Sequence, residues 1–260
     1  MAASTLPLVD FVDRLDGAGP FMVRVAWAFA AIAILGFLPT YWAPLARGSL
    51  VASPMVHFHG LSATAWVLLF VVQATLAARG RLERHRALGL AGIAIATAMV
   101  LSGWLAAVGS LEAGIARGFE DRARAFAILP FTLMLFFAIV VAAAVANARR
   151  PDIHFRLMLV ATAAVLAPAI ARWVILGAAA VRGVPADLLV PPPMIVTLVP
   201  ALVTDLLIAV AILHDIRTRG RPHPAYLVAG GALVLLQVAR VPASSSDVWH
   251  AVTDWLLRFA

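Results

Sequence analysis

The chain alternates long apolar runs with short polar segments. Seven of the runs reach about 20 residues, the length that an α-helix needs to cross the hydrocarbon core of a bilayer. They lie near residues 21–43, 57–78, 87–108, 125–147, 155–178, 192–214 and 224–242. Because the backbone groups of a segment in lipid must be satisfied internally, an open sheet is excluded. The pattern predicts an all-α polytopic membrane protein in which residues 21–243 form one bundle of seven transmembrane helices.

The composition agrees with this prediction and excludes several kinds of cofactor site. Apolar residues make up 63% of the 260 residues and charged residues only 13%, too few to cover a soluble globule. All 20 basic residues are arginine, so there is no lysine to form a retinal Schiff base. The absence of cysteine excludes iron–sulfur ligation, thiolate metal sites and covalent haem attachment through a CxxCH motif.

The arginines predict the orientation of the bundle. They are dense in "RGRLERHR" (79–86), "RRPDIHFR" (149–156) and "HDIRTRGRPH" (214–223), three segments that fall on the same side of a seven-helix path. The positive-inside rule makes that side cytoplasmic, with the amino terminus inside and the carboxyl terminus outside. The net charge of +7 is therefore interpreted as a basic inner rim that faces anionic lipid headgroups, and not as a nucleic-acid site.

Both ends of the chain are predicted to lie on the membrane surface. Residues 1–20 carry apolar residues at helical spacing and no basic start of a signal peptide, which indicates an inner interfacial segment. In the tail, residues 244–260, the spacing of Val248, Val252 and Trp255 predicts an amphipathic helix over the outer mouth of the bundle. This helix could be a lid or a docking surface for a partner, or a plain interfacial anchor.

Two histidines stand at the same predicted depth, where His85 opens the third helix and His154 opens the fifth. These helices run in the same direction, and two neutral imidazoles can bind a haem iron from opposite faces while arginines pair with the propionates. Arg84, Arg86 and Arg156 are close enough in sequence for that pairing. The alternative is that both histidines only extend into the headgroup layer.

His57 and His59 open the second helix at the predicted outer face, and the helical state of this segment decides their role. Residues two apart on a helix point to nearly opposite sides, so only one of the two histidines can face the bundle. If residues 55–59 are extended instead, Met55, His57 and His59 share one face, which would suit copper. A single inward histidine, acting as a ligand or a polar anchor, is the other possibility.

Arg172 and Arg240 lie far along apolar runs, at the predicted depth of His59. If the three side chains converge, they form a cationic outer pocket for a carboxylate, a propionate or another anionic small molecule. The alternative is that each arginine extends outward singly to the membrane surface.

Asp205, in "LVTDLLIA", is the one acidic residue well inside an apolar run. An acid at that depth costs several kcal/mol unless it is paired or protonated, which makes it a functional candidate. We expect it to act as a protonated hydrogen-bond donor or as a proton relay, with Arg240 as a possible but distant partner. It is the predicted catalytic residue.

The motifs "HRALG", with His85, and "HFRLM", with His154, resemble those of the cytochrome b-561-like membrane proteins and of related bacterial families of unknown function. The resemblance covers roughly residues 57–175. It implies a four-helix core that holds haem b by pairs of histidines and moves electrons across or along a membrane. His85 and His154 match the inner pair, and His59 or His57 matches one outer ligand. The fourth helix begins "EDRARAFAILP" and has no histidine for the outer pair, so one haem is expected.

The resemblance and the residues together predict a haem-b electron-transfer protein of the bacterial cytoplasmic membrane. If it is an enzyme, it is an oxidoreductase, with a quinone or a respiratory complex as its partner. Two alternatives stay open. The first is a cofactor-free accessory or assembly subunit of a larger membrane complex, in which the histidines are only polar helix ends. The second is a metal-handling or transport protein.

Overall fold

A computed structural model of the chain describes residues 18–259 and contains seven helical segments long and apolar enough to cross a membrane. The predicted all-α bundle is therefore confirmed, and no strand occurs within the described range. Numbered along the chain, the seven spans are Gly19–Ala46, Pro54–Ala78, Leu82–Ala116, Glu120–Ala146, Pro151–Arg182, Met194–Arg219 and Pro224–Ala243.

Three of the spans are not continuous α-helices. The first consists of an α-helix, a π-helical turn and a short α-helix, the fifth of two α-helices, and the sixth of a 3₁₀ turn and an α-helix. In chain order these pieces are Ala18–Phe37, Leu38–Trp42, Ala43–Ala46, Pro151–Ala164, Ala167–Arg182, Met194–Thr197 and Leu198–Arg219. A further 3₁₀ turn, Ala186–Leu189, lies between the fifth and sixth spans.

Proline explains the break in the fifth span. Pro168 has no N–H to donate to the carbonyl of Ala164, and Ala164 is the last residue of the first helical piece. Pro200 falls in the first turn of its helix, where a missing N–H is tolerated, and Pro130 lies inside the unbroken helix Glu120–Ala146. Of these three prolines, only Pro168 interrupts its helix.

The bundle is centred on the second to fifth spans, which pack in chain order. Trp66 is 3% exposed at this centre. Its indole meets the ring of Phe137 edge-on at 4.9 Å, and its Nε1–H donates to Thr162 Oγ1 at 3.3 Å. The first span packs on the second span and on the far half of the fifth, and the sixth and seventh pack on the fifth.

Large apolar side chains point outward along the spans. Trp27, Leu90, Val228 and Leu235 are each at least 60% exposed. An apolar outer surface on helices of spanning length is what contact with lipid tails requires. The spans alternate in direction, so the segments 79–86, 149–156 and 214–223 share one end of the bundle, called here the arginine-rich face. The other end is called the opposite face.

The tail forms the predicted helix, which runs from Asp247 to Leu256 and ends in the 3₁₀ turn Leu257–Phe259. Arg124 of the fourth span holds this helix, since its Nη1 contacts Asp254 Oδ1 at 2.6 Å and Thr253 Oγ1 at 2.9 Å. The Nε1–H of Trp249 donates to the carbonyl of Arg124 at 2.7 Å. The predicted apolar stripe faces away from the bundle: Val248 is 76% exposed and Trp255 is 55% exposed. The predicted inner segment, residues 1–20, lies almost wholly outside the described residues.

Candidate functional site

The structure brings His85 and His154 together at the arginine-rich face. Their ring centroids are 6.2 Å apart, with an angle of 81° between the ring planes, and both residues are half-buried. His85 opens the third span and His154 opens the fifth, so the pair joins two helices that are not neighbours in sequence. His85 and His154, which were predicted to lie at the same depth, thus also lie close to each other.

Backbone carbonyls determine which nitrogen of each ring carries the proton. His154 Nδ1 lies 2.7 Å from the carbonyl oxygen of Ala144, and His85 Nδ1 lies 3.3 Å from that of Gln73. A carbonyl oxygen only accepts, so both Nδ1 atoms must be the donors. In the neutral rings Nε2 is then unprotonated and keeps its lone pair. This is the tautomer that a metal-binding histidine adopts when a second hydrogen bond orients it.

The spacing of the rings is compatible with one metal ion between them. Two imidazoles that bind a metal from opposite sides, each at about 2 Å, have ring centroids roughly 6 Å apart. Within residues 18–259, no group of three or more histidine, aspartate or glutamate side chains is arranged to hold a metal ion. The pair could supply two ligands, and the remaining ligands would come from a cofactor, from water or from the backbone. A haem provides four nitrogens of its own and needs axial ligands from the protein.

Gln73 of the second span supports His85, and the sequence reasoning missed it. Its side-chain Nε2–H donates to the backbone carbonyl of His85 at 3.0 Å, and its backbone carbonyl accepts a hydrogen bond from the His85 ring. Its Oε1 is buried and has no hydrogen-bond partner within the part of the chain that the structure describes. A lone amide in an otherwise apolar run, "LLFVVQATLA", was the available signal.

The arginines near the pair separate into two groups. Arg84 and Arg86 are exposed at the rim and make no ion pair within residues 18–259, and the charge of Arg86 acts on His85. Arg156 is 1% exposed and forms a two-point ion pair with Asp215 of the sixth span. The predicted propionate role of Arg156 is therefore corrected, because its guanidinium is already used by a buried carboxylate.

The other contacts of Arg156 make this ion pair a cluster. Arg156 Nε and Nη2 reach the two Asp215 oxygens at 2.8 and 2.7 Å, and Nη1 donates to the carbonyl of Asp152 at 2.7 Å. Arg219 Nη1 lies 3.7 Å from Asp215 Oδ2. The Asp152 carboxylate, in turn, is 3.3 Å from His223 Nε2. The cluster ties the fifth span to the sixth span two residues away from His154.

His223 lies in the loop before the seventh span, and its tautomer also follows from its contacts. The backbone N–H of Ala225 donates to His223 Nδ1 at 3.1 Å, so Nε2 carries the proton and donates to Asp152. Burial, together with the positive charge of Arg156, lowers the pKa of His223, although its hydrogen bond to Asp152 works in the other direction.

The second span is helical from Pro54, so the extended Met-x-His-x-His face predicted as a copper alternative is not formed. A helix turns residues 57 and 59 to different neighbours. His57 Nδ1 lies 2.9 Å from the hydroxyl of Tyr41, and His59 Nδ1 lies 3.2 Å from Ser102 Oγ. Only His59 points to the third span at the centre of the bundle.

The structure adds a neighbour to His59 that the sequence reasoning did not consider. A Cβ on Gly103 would lie 3.0 Å from His59 Cε1 and 2.9 Å from Met134 Sδ, so both side chains fill the space beside this glycine. Met134 comes from the fourth span, the helix from which the resemblance expected an outer histidine. A buried methionine inside an apolar run looks like ordinary core, which is why the sequence gave no signal for it.

Arg172 and Arg240, which were predicted to form an outer pocket with His59, have different neighbours in the structure. Arg172 lies within electrostatic range of His59, donates to the carbonyl of Pro168 at 2.8 Å and stacks over the ring of Phe37 at 4.2 Å. Arg240 is 5% exposed, and its Nε has no hydrogen-bond partner in the described range.

Asp205 is half-buried in the sixth span, and its hydrogen bond comes from the seventh. Gln237 is 5% exposed and donates from Nε2 to Asp205 Oδ1 at 3.0 Å. Arg240 acts on Asp205 through its charge and makes no ion pair with it within 4.0 Å. The partner of the intramembrane acid is therefore a glutamine that sequence reasoning overlooked, and Arg240 is a more distant charge.

No family model matches this chain, and no curated protein or solved structure matches it. Its function therefore has to be argued from its own geometry, of which the His85–His154 pair is the most specific element.

Proposed function

We propose that this protein is an integral membrane haem-b electron-transfer protein in which His85 and His154 are the axial ligands. The observation that carries the proposal is the geometry of the pair. Both Nδ1 atoms donate to backbone carbonyls, both Nε2 lone pairs are available, and the ring centroids are 6.2 Å apart. A bound haem would supply a one-electron redox centre.

The remaining residues of the site would hold and tune such a cofactor. The carbonyls of Gln73 and Ala144 fix the two rings and raise the basicity of the ligand nitrogens. Arg84 and Arg86 at the rim make no ion pair within residues 18–259 and would pair with the carboxylates of the cofactor. The apolar packing around Trp66 excludes water from the centre of the bundle. The electron partner is proposed to be a quinone or a respiratory complex, which would make the protein an oxidoreductase.

The proposed location is the bacterial cytoplasmic membrane, with the arginine-rich face in the cytoplasm. Eleven of the arginines in residues 18–259 lie at or near that face, against eight towards the opposite face, where most of the acidic residues of the range also lie. An excess of basic residues in short loops favours retention on the cytoplasmic side.

The test is the visible spectrum of the protein purified after expression with ample haem. The wild type should show a Soret band and sharp α bands on reduction. His85→Asn and His154→Asn should lose them while keeping the fold, because the asparagine amide can still donate to the carbonyl that Nδ1 reaches but offers no imidazole nitrogen to iron. His57→Asn is the matched control, and it should keep the spectrum because His57 bonds to Tyr41 in the first span.

Two results would contradict the proposal. The first is a wild-type protein that stays colourless after reconstitution with haem. The second is a spectrum that is unchanged in both His85→Asn and His154→Asn.

One observation favours the second candidate, a cofactor-free accessory or assembly subunit. The Nδ1 bonds of His85 and His154 each cross to a neighbouring span, so the pair also holds helices together without any cofactor. In that case the protein is colourless, and His85→Asn and His154→Asn are as stable as the wild type. Retrieval of a defined membrane complex from native membranes with tagged protein would support this role.

A further inference from the structure

A groove of about 460 Å³ lies between the first and sixth spans, open to the side, and it is separate from the histidine pair. Its size is within the roughly 300–1,000 Å³ of small-molecule sites. Arg24 of the first span and Arg217 of the sixth line one end of it, while Val25, Ala28 and Val210 line its walls. The arginines belong to the arginine-rich end of their helices. Val210 lies seven residues before Arg217, about 10 Å deeper in the membrane at 1.5 Å per residue.

Within residues 18–259, the two arginines at the charged end of the groove are not paired with an acidic residue. Arg24 and Arg217 are exposed, and neither makes a hydrogen bond or an ion pair within residues 18–259. The nearest acid on the sixth span is Asp215, which is already paired with Arg156 and lies near Arg219. Two cations beside an apolar wall favour a ligand that is anionic at one end and apolar along its length.

A third polar group lies at the same end of the groove. The ring of His214 stacks flat on Phe21, with centroids 3.8 Å apart and planes at 5°, and this contact bridges the two spans. Its Nε2 is buried and has no hydrogen-bond partner in the described part of the chain.

We propose that this groove binds an anionic phospholipid, with its phosphate between Arg24 and Arg217 and the start of an acyl chain along Ala28 and Val210. Basic pockets between membrane helices bind anionic headgroups in this way, and the bilayer supplies the ligand at high local concentration. The planar guanidinium forks match phosphate oxygens. The proposal does not depend on haem.

The experiment is native mass spectrometry of the full-length protein in detergent, with phosphatidylglycerol and phosphatidylcholine of identical acyl chains. One phosphatidylglycerol should bind in preference to phosphatidylcholine. In the double variant Arg24→Gln/Arg217→Gln, we expect phosphatidylglycerol to bind about thirty-fold more weakly, about 2 kcal/mol, since each basic residue near a lipid surface contributes about 1 kcal/mol. Phosphatidylcholine binding should stay unchanged.

Two controls separate the groove from general charge. Arg81→Gln/Arg221→Gln removes the same charge from exposed positions that do not line the groove and should keep the preference. Ala28→Trp fills the apolar wall, keeps both arginines and should weaken phosphatidylglycerol binding. Soluble glycerol phosphate should not compete, because it lacks the chain that the wall receives.

Three outcomes would overturn the proposal. One is equal loss in the two double variants, which would mean a diffuse charge effect. The second is unchanged binding in Ala28→Trp, and the third is full competition by glycerol phosphate; either result would mean that the acyl chain does not lie along the apolar wall of the groove. The lipid experiment does not depend on the visible spectrum. Its result therefore has the same meaning whether or not the protein binds haem.

Discussion

The ion pair between Arg156 and Asp215 gives the sharpest test of how the bundle is held together. Arg156→Met keeps the length of the side chain and removes its charge and three hydrogen bonds, two to Asp215 and one to the carbonyl of Asp152. Asp215 is 2% exposed, so the variant leaves a buried carboxylate without its main partner. Breaking a buried pair from one side costs about 3–5 kcal/mol.

Because Arg219 also lies near Asp215, we expect the cost of breaking the ion pair to be at the lower end of that range. Its Nη1 lies 3.7 Å from Asp215 Oδ2 and can compensate part of the uncovered charge. We therefore expect Arg156→Met to lower the free energy of unfolding by about 3 kcal/mol, a change of more than about a hundredfold in the unfolding equilibrium. In the double variant Arg156→Met/Asp215→Leu, apolar groups replace both charges, and such replacements are often neutral. The double variant should be more stable than Arg156→Met alone.

The assay is equilibrium unfolding in mixed detergent micelles, in which the fraction of sodium dodecyl sulfate is raised and tryptophan fluorescence is followed. Arg149→Met is the control, because Arg149 is exposed on the same face and substitutions of this kind stay within about 0.5 kcal/mol. The ion pair is not what stabilises the fold if Arg156→Met and the control unfold alike, or if the double variant loses the sum of the losses measured for Arg156→Met and for Asp215→Leu separately. Additive losses would mean that the two residues stabilise the fold independently.

Three further predictions concern packing, pH and topology. Gly36→Ala should destabilise the bundle by about 1–3 kcal/mol, because the new Cβ would lie 2.6 Å from the Cβ and 2.7 Å from the carbonyl oxygen of Ala169. Gly109→Ala is the control, since a Cβ there meets no atom within 4 Å, and equal effects of the two substitutions would contradict this packing. Since burial lowers the pKa of His223, the folded state favours the neutral ring, so this stability is present above about pH 6.5 and is lost as the pH falls. His223→Gln should therefore lose less stability than the wild type between about pH 7.5 and 5.5, and parallel losses would exclude the effect. Reporter fusions in the three arginine-rich segments should read cytoplasmic and a fusion at the carboxyl terminus external, and one segment on the wrong side would overturn the orientation.

Sequence predicted the helices well because a bilayer requires a fixed length of apolar chain. The same rule says little about where each helix ends or where it is interrupted. The third span extends to 35 residues, Leu82–Ala116, well beyond the apolar run from which it was predicted. Its added turns at both ends carry charged side chains that reach past the hydrocarbon core, where hydropathy gives no signal. The break at Pro168 was predictable because proline acts through local backbone geometry.

Depth along a helix could be predicted, but rotation about its axis could not. His85 and His154 were placed at one depth by counting residues, and they also meet. Arg172 and Arg240 were placed at one depth by the same counting, and their side chains have different neighbours, Pro168 and Phe37 for the first and Asp205 for the second. A helix turns 100° per residue, so the direction of a side chain depends on which neighbours the helix packs against. Those neighbours come from tertiary contacts that a single sequence does not contain.

Polar side chains inside this bundle are used as crosslinks between spans, and this decides how the candidate site should be interpreted. Within a bilayer the hydrophobic effect does not draw helices together, so association relies on close packing and on polar bonds across helices. Gln73, His85, His154 and Gln237 each donate to a neighbouring span, and Arg156 does so with a full charge. A crosslink needs only one donor from each imidazole, and Nδ1 provides it. The crosslinks account for Nδ1 alone and leave the Nε2 lone pair of each ring unused within residues 18–259. The proposed shared cofactor would use both nitrogens, so spectra of variants that keep the Nδ1 bond distinguish a ligand from a crosslink.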